Sequence, residues 1–218
     1  MARDFFVDIW SDVVCPFCYL GFRQFHDALD RFDSAADVVV RHHAFELDPH
    51  AALADGQNLN EMLAAKYSMT IERAALLNQR VENSARELGM EWSLADAQPT
   101  NTFDAHRVIA LAATHGRQEE MLERIFRAYF SEGLVVSDHD TLVALALEAG
   151  VTGVNRMLAG NEFADAVHHD EYLAAKIGLT GVPALIFDGR VHVSGAQGSS
   201  AMLEALEDAW SERTDRPA

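Results

Sequence analysis

The chain has 218 residues and an apolar content of 49%, which suits a globular protein with one large domain or one domain that carries a substantial insertion. Its formal net charge of −17 disfavours nucleic acids and anionic membranes as partners, because both are negatively charged. No apolar run approaches the ~20 residues of a membrane-spanning helix, and no basic and apolar leader precedes the first predicted strand, so we expect a cytoplasmic protein.

The first fifty residues predict a strand, a helix and a second strand. Residues 5–10 are apolar apart from Asp8, as in a strand that is buried on both faces. A helix is predicted from Cys15, because Pro16 is favoured in a first helical turn and apolar residues follow at spacings of three and four. Residues 38–47 are rich in β-branched side chains, which favour a strand. We therefore expect a parallel strand pair joined by a right-handed crossover helix.

The following hundred residues predict helices and no strand. The segment is rich in Ala, Leu, Glu and Arg, and threonine caps and glycine stops divide it. The predicted helices cover residues 59–67, 71–88, 102–114, 118–131 and 138–149. Since strand signals resume afterwards, this block is interpreted as an insertion rather than an independent domain.

Strand signals return towards the C-terminus. A helix is predicted to end at Lys176, and an apolar run follows at 180–187. Asp188-Gly189 is a strong signal for a two-residue hairpin turn, and residues 190–193 form the returning strand. An amphipathic helix at 199–212 closes the chain.

The order of these elements is strand, helix, strand, helical block, helix, hairpin and helix. This order predicts an α/β protein with a thioredoxin-like fold and a large all-α insertion. Residues 1–52 and 162–218 are assigned to the thioredoxin-like core, and residues 53–161 to the helical insertion.

Cys15 and Cys18 are the only cysteines, and they lie one helical turn apart at a helix start. In a reducing cytoplasm such a pair is catalytic or metal-binding rather than a structural disulfide. Unpaired N–H groups and the dipole of the helix stabilise a thiolate at its first residue. We expect Cys15 to form a mixed disulfide with a substrate and Cys18 to resolve it.

A zinc site is the alternative, because zinc sites use the same Cys-x-x-Cys spacing. Its two further ligands would come from His, Asp or Glu, and the candidates are His42-His43 and His168-His169. Adjacent histidines in a strand point to opposite sides, so at most one of the first pair would serve. Since the cysteines follow a strand and open a helix, we favour redox chemistry and expect no metal.

Val182-Pro183 precedes the third predicted strand. A proline at this position fits a plain strand start, and it also fits a cis peptide bond that places the Val182 backbone beside the Cys15 sulfur. The cysteine pair and the hairpin that follows favour the second interpretation, in which Val182 pairs with the extended backbone of a substrate.

Five short segments together resemble a known family. They are Trp-Ser-Asp-Val-Val-Cys-Pro-Phe-Cys-Tyr at 10–19, Phe-Glu-Leu-Asp-Pro at 45–49, Asn-Thr-Phe-Asp-Ala-His-Arg at 101–107, Gly-Val-Pro at 181–183 and Ser-Gly-Ala-Gln at 194–197. In combination they are similar to the FrnE-like branch of the DsbA-type thiol–disulfide oxidoreductases, over nearly the whole chain. The resemblance implies a catalytic pair at Cys15 and Cys18, a cis-proline at Pro183 and a substrate contact at Val182.

Two features separate the chain from other members of that superfamily. Secreted DsbA oxidants carry a histidine where this chain has Phe17, which donates no hydrogen bond to a thiolate, so we expect a less oxidising pair. Glutathione-dependent isomerases and kappa-class transferases carry serine in place of Cys15. Their contact with the γ-glutamyl end of glutathione matches Ser194, Gly195, Ala196 and Gln197, although we favour an ordinary loop-to-helix turn as the explanation of this segment.

Other candidate residues have two readings each. Asp8 would have a raised pKa if desolvated and could then relay a proton to Cys18, or it could be a solvated carboxylate. Trp10 and Phe17 would form apolar walls beside the sulfurs, or they would pack in the core. The resemblance allows Asn101 a place near the mouth of the site, with a contact to glutathione.

These features predict a thiol–disulfide oxidoreductase or isomerase that exchanges disulfides with protein or small thiol substrates. We expect no bound cofactor, glutathione as a candidate co-substrate, and a monomer or homodimer. The alternative is a glutathione-dependent isomerase or transferase of the kappa or hydroxychromene-carboxylate type, acting on a small aromatic or polyketide-like compound. A non-catalytic binding or chaperone module is the third hypothesis.

Overall fold

The computed structural model describes residues 4–54 and 56–214, which divide into two compact units. The first unit contains the described residues up to Phe45 and from Asp170 onwards, and the second contains those between Glu46 and His169. The domain limits inferred from the sequence, 52/53 and 161/162, stay a prediction.

Within the described residues there are four strands and nine α-helices. The strands are β1 (Phe5–Ser11), β2 (Val38–Ala44), β3 (Ala184–Phe187) and β4 (Val191–Ser194). The helices are α1 (Pro16–Leu29), α2 (Leu59–Lys66), α3 (Ile71–Glu87), α4 (Phe103–Thr114), α5 (Gln118–Phe130), α6 (His139–Glu148), α7 (Val154–Leu158), α8 (Ala164–Lys176) and α9 (Ser199–Thr214). None of these helices is long and apolar enough to cross a membrane.

The four strands form one mixed sheet in the order β2-β1-β3-β4. β1 pairs in parallel with β2 and antiparallel with β3, and β3 pairs antiparallel with β4. The hairpin turn between β3 and β4 lies at Asp188 and Gly189, whose φ angles of 48° and 69° suit a two-residue turn with both residues left-handed. The parallel pair and the hairpin predicted from the sequence are both confirmed.

Helices of the first unit cover both faces of the sheet. Apolar side chains of β1 and β3 on one face pack against α1 and α9, and this cluster includes Phe5, Val7, Ile9, Phe25, Leu185, Phe187, Met202 and Leu206. The opposite face packs against α8 through a cluster that includes Trp10, Ala174, Ala184 and Ile186. With helices inserted between β2 and α8, this is the thioredoxin-like fold that the sequence predicts.

The second unit is helical, and one of its buried groups is the guanidinium of Arg107 in α4. This group donates hydrogen bonds to the carbonyls of Met157 (2.8 Å), Gly160 (2.6 Å) and Glu162 (2.9 Å), and to Asp104 Oδ1 (2.7 Å). The buried charge is therefore compensated, and it holds the carbonyls at the end of α7. These hydrogen bonds give Asp104 and Arg107, the two oppositely charged residues of the segment at 101–107, a structural role.

Two leucines of α6 provide a test of the packing in the second unit. Leu145 is 1% exposed, whereas Leu147 is 73% exposed. Truncating a fully buried leucine removes apolar contacts and leaves a cavity, so we expect Leu145→Ala to lower the free energy of unfolding by about 2–5 kcal/mol. Leu147→Ala, the same substitution on the same helix, should change it by less than about 0.5 kcal/mol. Urea denaturation measures both, and equal losses would contradict this packing.

Candidate active site

β1 and the turn after it bring Cys15 to the start of α1. The Cys15 N–H donates to the Asp12 carbonyl at 3.1 Å, which closes the turn. Cys15 is the N-cap residue of α1 with an extended backbone, and Pro16 follows at the first helical position. Its own carbonyl accepts the Cys18 N–H at 3.0 Å. The Cys15 sulfur thus lies where backbone N–H groups lack helical partners, a position that favours a thiolate.

The loop before β3 brings Val182 and Pro183 to the same sulfur. The Cys15 Sγ lies 3.8 Å from the Val182 carbonyl oxygen and donates to it, although the two residues are 167 positions apart. The Val182–Pro183 peptide bond is cis. The Pro183 carbonyl accepts the Gly195 N–H at 2.8 Å, which attaches the loop to the end of β4.

The residues around the sulfurs differ in exposure. Both cysteines are free thiols and are buried, with Cys15 4% and Cys18 2% exposed. Phe17, between them, is 50% exposed, so it presents its ring to solvent rather than to the core. Trp10 is 5% exposed and packs in the cluster that α8 covers, where Val182 also packs against it. Of the two readings for each ring, core packing therefore describes Trp10, and a ring exposed beside the cysteines describes Phe17.

The two sulfurs are chemically unequal. Burial raises the pKa of the Cys18 thiol well above its ordinary value, and the hydrogen bond to Cys15 and the charge of Cys15 raise it further. A backbone hydrogen bond from Asp12 opposes this shift, while the charge of Asp12 adds to it. Cys18 is therefore the sulfur that keeps its proton and donates to Cys15, and Cys15 is the candidate nucleophile.

Asp8 does not have the raised pKa that the sequence predicts. Its carboxylate accepts two hydrogen bonds from Arg41, at 2.7 and 2.6 Å, and one from His43 Nε2 at 2.8 Å. Burial alone raises the pKa of Asp8, but the hydrogen bonds from His43 and Arg41 outweigh it and hold the pKa below its ordinary value. The expectation of a raised pKa is wrong, and the physical reason for a proton relay at Asp8 is lost with it.

His43 is held between two carboxylates. Its Nδ1 donates to Asp170 Oδ1 at 2.7 Å, its Nε2 donates to Asp8, and its ring stacks on Trp10 with centroids 4.3 Å apart. Burial alone lowers the pKa of His43, but the hydrogen bonds to Asp170 and Asp8 outweigh it and raise the pKa to about 9. Asp170 also accepts the Ala44 N–H at 3.0 Å. These contacts attach α8 to β1 and β2.

The histidines considered for zinc have other surroundings. Both ring nitrogens of His43 bind carboxylates, and the His168 ring lies 5.1 Å from the ring of Phe103. Over residues 4–54 and 56–214, no group of three or more His, Cys, Asp or Glu side chains is arranged to hold a metal ion.

The candidate glutathione contacts lie in both units. Ser194, Gly195, Ala196 and Gln197 connect β4 to α9, and the Gln197 side chain donates to the Ser194 carbonyl at 2.7 Å. Asn101 belongs to the second unit, where its Oδ1 accepts the Phe103 N–H at 3.0 Å and caps the start of α4. Local hydrogen bonds thus explain part of this set, and its glutathione contacts stay a prediction.

Sequence reasoning missed two residues beside the sulfurs, Asp12 and Gly21. Asp12 is only 1% exposed, and a carboxylate immediately before a cysteine turn was the signal that could have found it. Gly21, on α1, faces the loop before β3: a Cβ at this position would lie 3.1 Å from Pro183 Cγ. Gly21 therefore leaves the room that the Pro183 ring occupies against α1.

Comparisons with known proteins agree with this fold. A family model described as a DSBA-like thioredoxin domain matches residues 6–207. A probable DsbA oxidoreductase from Streptomyces coelicolor is 39% identical, with a TM-score of 0.93 over 98% of this chain and 93% of that one.

Two more distant solved structures share the fold. The cytosolic disulfide reductase DsbM from Pseudomonas aeruginosa is 18% identical, with a TM-score of 0.65 over 95% of this chain and 99% of that one, and it has also been solved with GSH. A 2-hydroxychromene-2-carboxylate isomerase is 14% identical, with a TM-score of 0.71 over 98% of this chain and 100% of that one.

The carboxylates around His43 predict a pH-dependent stability. Because folding raises the pKa of His43, the stabilisation is complete below the unfolded-state pKa of about 6.5 and is lost as the pH rises through about 9. We expect the free energy of unfolding to fall by up to about 1.4 kcal/mol per pH unit between pH 6.5 and 7.5, where unfolded-chain cysteines, with a pKa of about 8.5, are still largely protonated. His43→Gln should flatten this slope, and His192→Gln, at an exposed position, should not; equal slopes would refute the prediction.

The contact between Gly21 and Pro183 predicts an unusual response to alanine. In a helix interior, Gly→Ala ordinarily stabilises by about 1 kcal/mol. At Gly21 the new methyl group would be forced against Pro183, so we expect Gly21→Ala to destabilise by about 1–3 kcal/mol. Gly160→Ala, at a turn residue after α7, is the control for an added methyl group without a clash, because a Cβ there meets no atom within 4 Å. Thermal unfolding of both variants decides the matter, and a stabilised Gly21→Ala protein would show that the contact is absent.

Proposed function

We propose that this chain, which belongs to the DSBA-like thioredoxin domain family, is a thiol–disulfide oxidoreductase. It uses Cys15 and Cys18 to exchange disulfides with protein or small thiol substrates. The observation that carries this proposal is the unequal cysteine pair: Cys15 at the start of α1, facing Val182, and the buried Cys18, which keeps its proton. The five-segment resemblance supports placing the chain in the FrnE-like branch.

The reaction follows from the inequality of the sulfurs. The Cys15 thiolate attacks a substrate disulfide, so that a Cys15–substrate disulfide forms and one substrate thiolate leaves. Cys18 then loses its proton and attacks the Cys15 sulfur; the Cys15–Cys18 disulfide forms and the second substrate thiolate leaves. Two electrons have passed from the cysteine pair to the substrate, and the reverse sequence oxidises a substrate dithiol. Isomerisation needs only the first step and its reversal at another cysteine.

The surroundings of Cys15 suit a substrate that approaches as an extended chain. Val182 lies directly before β3 with its carbonyl at the sulfur, so its backbone is available to pair with the residues flanking a substrate cysteine. Phe17, which lies between the two cysteines in the chain and is half exposed, offers an apolar contact to such a substrate. Trp10 belongs to the buried cluster against which Val182 packs.

We assign the protein to the cytoplasm, with glutathione as its co-substrate and no bound cofactor. The likeness to a cytosolic disulfide reductase that has been solved with GSH supports this assignment. Ser194, Gly195, Ala196 and Gln197 are the proposed contact for the γ-glutamyl end. Thiol exchange itself requires only the two cysteines, which is consistent with either a monomer or a homodimer.

A glutathione-dependent isomerase is the second candidate. The fold likeness to a 2-hydroxychromene-2-carboxylate isomerase, over 98% of this chain, supports it. Cys15 counts against it, since the glutathione-dependent relatives resembled by this chain carry serine at that position. The two candidates differ in what they require of Cys18: disulfide exchange needs it for resolution, and isomerisation of a small compound does not.

Two single variants test the proposal. Cys15→Ser removes the nucleophile, so we expect the rate of insulin reduction by glutathione to fall at least about 10²-fold. Cys18→Ser keeps the nucleophile and blocks resolution, so it should accumulate Cys15 mixed disulfides that mass spectrometry detects. An unchanged rate for Cys15→Ser would contradict the oxidoreductase. Turnover of a hydroxychromene-type compound with glutathione that survives Cys18→Ser would favour the isomerase.

A further inference from the structure

A short segment between β4 and α9, residues 195–198, connects the loop before β3 to α1. Its first residue, Gly195, donates its N–H to the Pro183 carbonyl at 2.8 Å. Its last residue, Gly198, donates its N–H to Oε1 of Gln24, on α1, at 2.9 Å. The segment therefore has one hydrogen bond to the loop that carries Pro183 and another to the helix at whose start the two cysteines lie.

The backbone at Gly198 is held in place by α9. Gly195 and Gly198 have φ angles of 81° and 95°, in the left-handed region that favours glycine, so the path of the segment depends on both. The Gly198 carbonyl accepts the Met202 N–H at 3.1 Å and thereby begins α9. Met202 packs in the core cluster of the first unit. The Gln24 side chain thus joins α1 to a backbone position that the core already fixes.

Gln24 also lies on the side of α1 that faces Pro183. Gly21, three residues earlier, is on the same side of the helix, and a Cβ there would lie 3.1 Å from Pro183 Cγ. α1 therefore meets the loop at two levels, directly at Gly21 and through residues 195–198 at Gln24. These two contacts set the separation between α1 and the loop whose Val182 carbonyl oxygen lies 3.8 Å from the Cys15 sulfur.

We propose that Gln24 is a positioning residue for extended substrates, an inference that rests on the proposed function. By holding residues 195–198 against α1, its side chain keeps the loop where the Val182 backbone pairs with a substrate chain whose sulfur lies at Cys15. Such a substrate has to reach both groups at once, so a shift of the loop weakens its binding. A small disulfide without flanking residues needs the Cys15 sulfur alone, and its reaction does not depend on Gln24.

A role of Gln24 that is confined to the start of α9 has a different consequence. The loss of its carbonyl would then lower the free energy of unfolding, because the Gly198 N–H loses its acceptor. The folded protein would still react with extended and small substrates in the wild-type proportion. The ratio of the two rate constants therefore separates a positioning role from a purely structural one.

The experiment uses the reduced full-length protein and two disulfides with the same leaving group, 2-nitro-5-thiobenzoate. One probe carries this group on the cysteine of a peptide with several residues on each side, and the other carries it on N-acetylcysteine amide. The Cys15 thiolate attacks the cysteine sulfur of either probe; the new disulfide forms, the bond to the aromatic sulfur breaks, and the coloured aromatic thiolate leaves. Stopped-flow absorbance at several probe concentrations gives the rate constant and the half-saturation concentration.

We expect Gln24→Leu to lower the second-order rate constant of the peptide about 3–10-fold, the factor that corresponds to one hydrogen bond, through a higher half-saturation concentration. The constant of the N-acetylcysteine amide probe should stay nearly unchanged. Gln24→Glu keeps an acceptor and should restore the peptide's constant. Gln24→Met keeps the length of the side chain without the carbonyl, so it should resemble Gln24→Leu, and it provides a second variant if Gln24→Leu does not fold. Gln79→Leu, the same substitution at an exposed position of α3, is the matched control and should change neither constant.

The two probes keep the hypotheses apart. A wild-type protein that releases no coloured thiolate from either probe would overturn the proposed function. Equal losses for both probes in Gln24→Leu, or no loss for the peptide, would overturn only the role of Gln24. A Gln24→Glu protein that is as slow with the peptide as Gln24→Leu would do the same, because the acceptor would then be irrelevant.

Discussion

The position of β1 in the sheet determines where the chemistry takes place. β1 is paired on both sides, with β2 in parallel and with β3 antiparallel, and its side chains are covered on both faces. In this register Trp10 lies opposite Ala184, so the last residues of β1 and the first residues of β3 lie at the same end of the strands. The turn that carries Cys15 and the loop that carries Val182 leave the sheet at that end, which explains how residues 167 positions apart meet.

The helix start and the burial act on the two sulfurs in opposite ways. Cys15 lies at the end of α1 where N–H groups are unpaired, which favours negative charge. Cys18, one turn further, is enclosed by the helix and the turn, and desolvation favours its protonated form. Three residues therefore separate a thiol at the helix start from one whose burial keeps it protonated. In the proposed reaction the first would attack the substrate, and the second would have to lose its proton before it resolves the mixed disulfide.

The sequence was sufficient for the elements with strong periodicity and turn signals, and insufficient for contacts across strands. The parallel pair, the hairpin at Asp188 and most helices of the second unit were predicted. The five-residue α7 was missed because it is too short to show a periodicity. The helix predicted to end at Lys176 is α8, which begins at Ala164, directly after Phe163 with its left-handed φ of 65°. The error at Asp8 has a different cause: its partners come from β2, and a single sequence does not give the register between strands.

The hydrogen bonds at Cys15 bear on the direction of electron flow. Stabilising the thiolate of the reduced form makes a cysteine pair more oxidising. Here the Val182 carbonyl accepts a hydrogen bond from the Cys15 thiol and cannot donate one to a thiolate, and the Phe17 side chain has no hydrogen-bond donor. The remaining donors are the N–H groups of α1 and the Cys18 thiol, all uncharged. Uncharged donors form weaker hydrogen bonds to an anion than a cation does. These uncharged donors are the reason to expect a weakly oxidising pair, and they support net reduction of substrate disulfides as the direction of the proposed reaction.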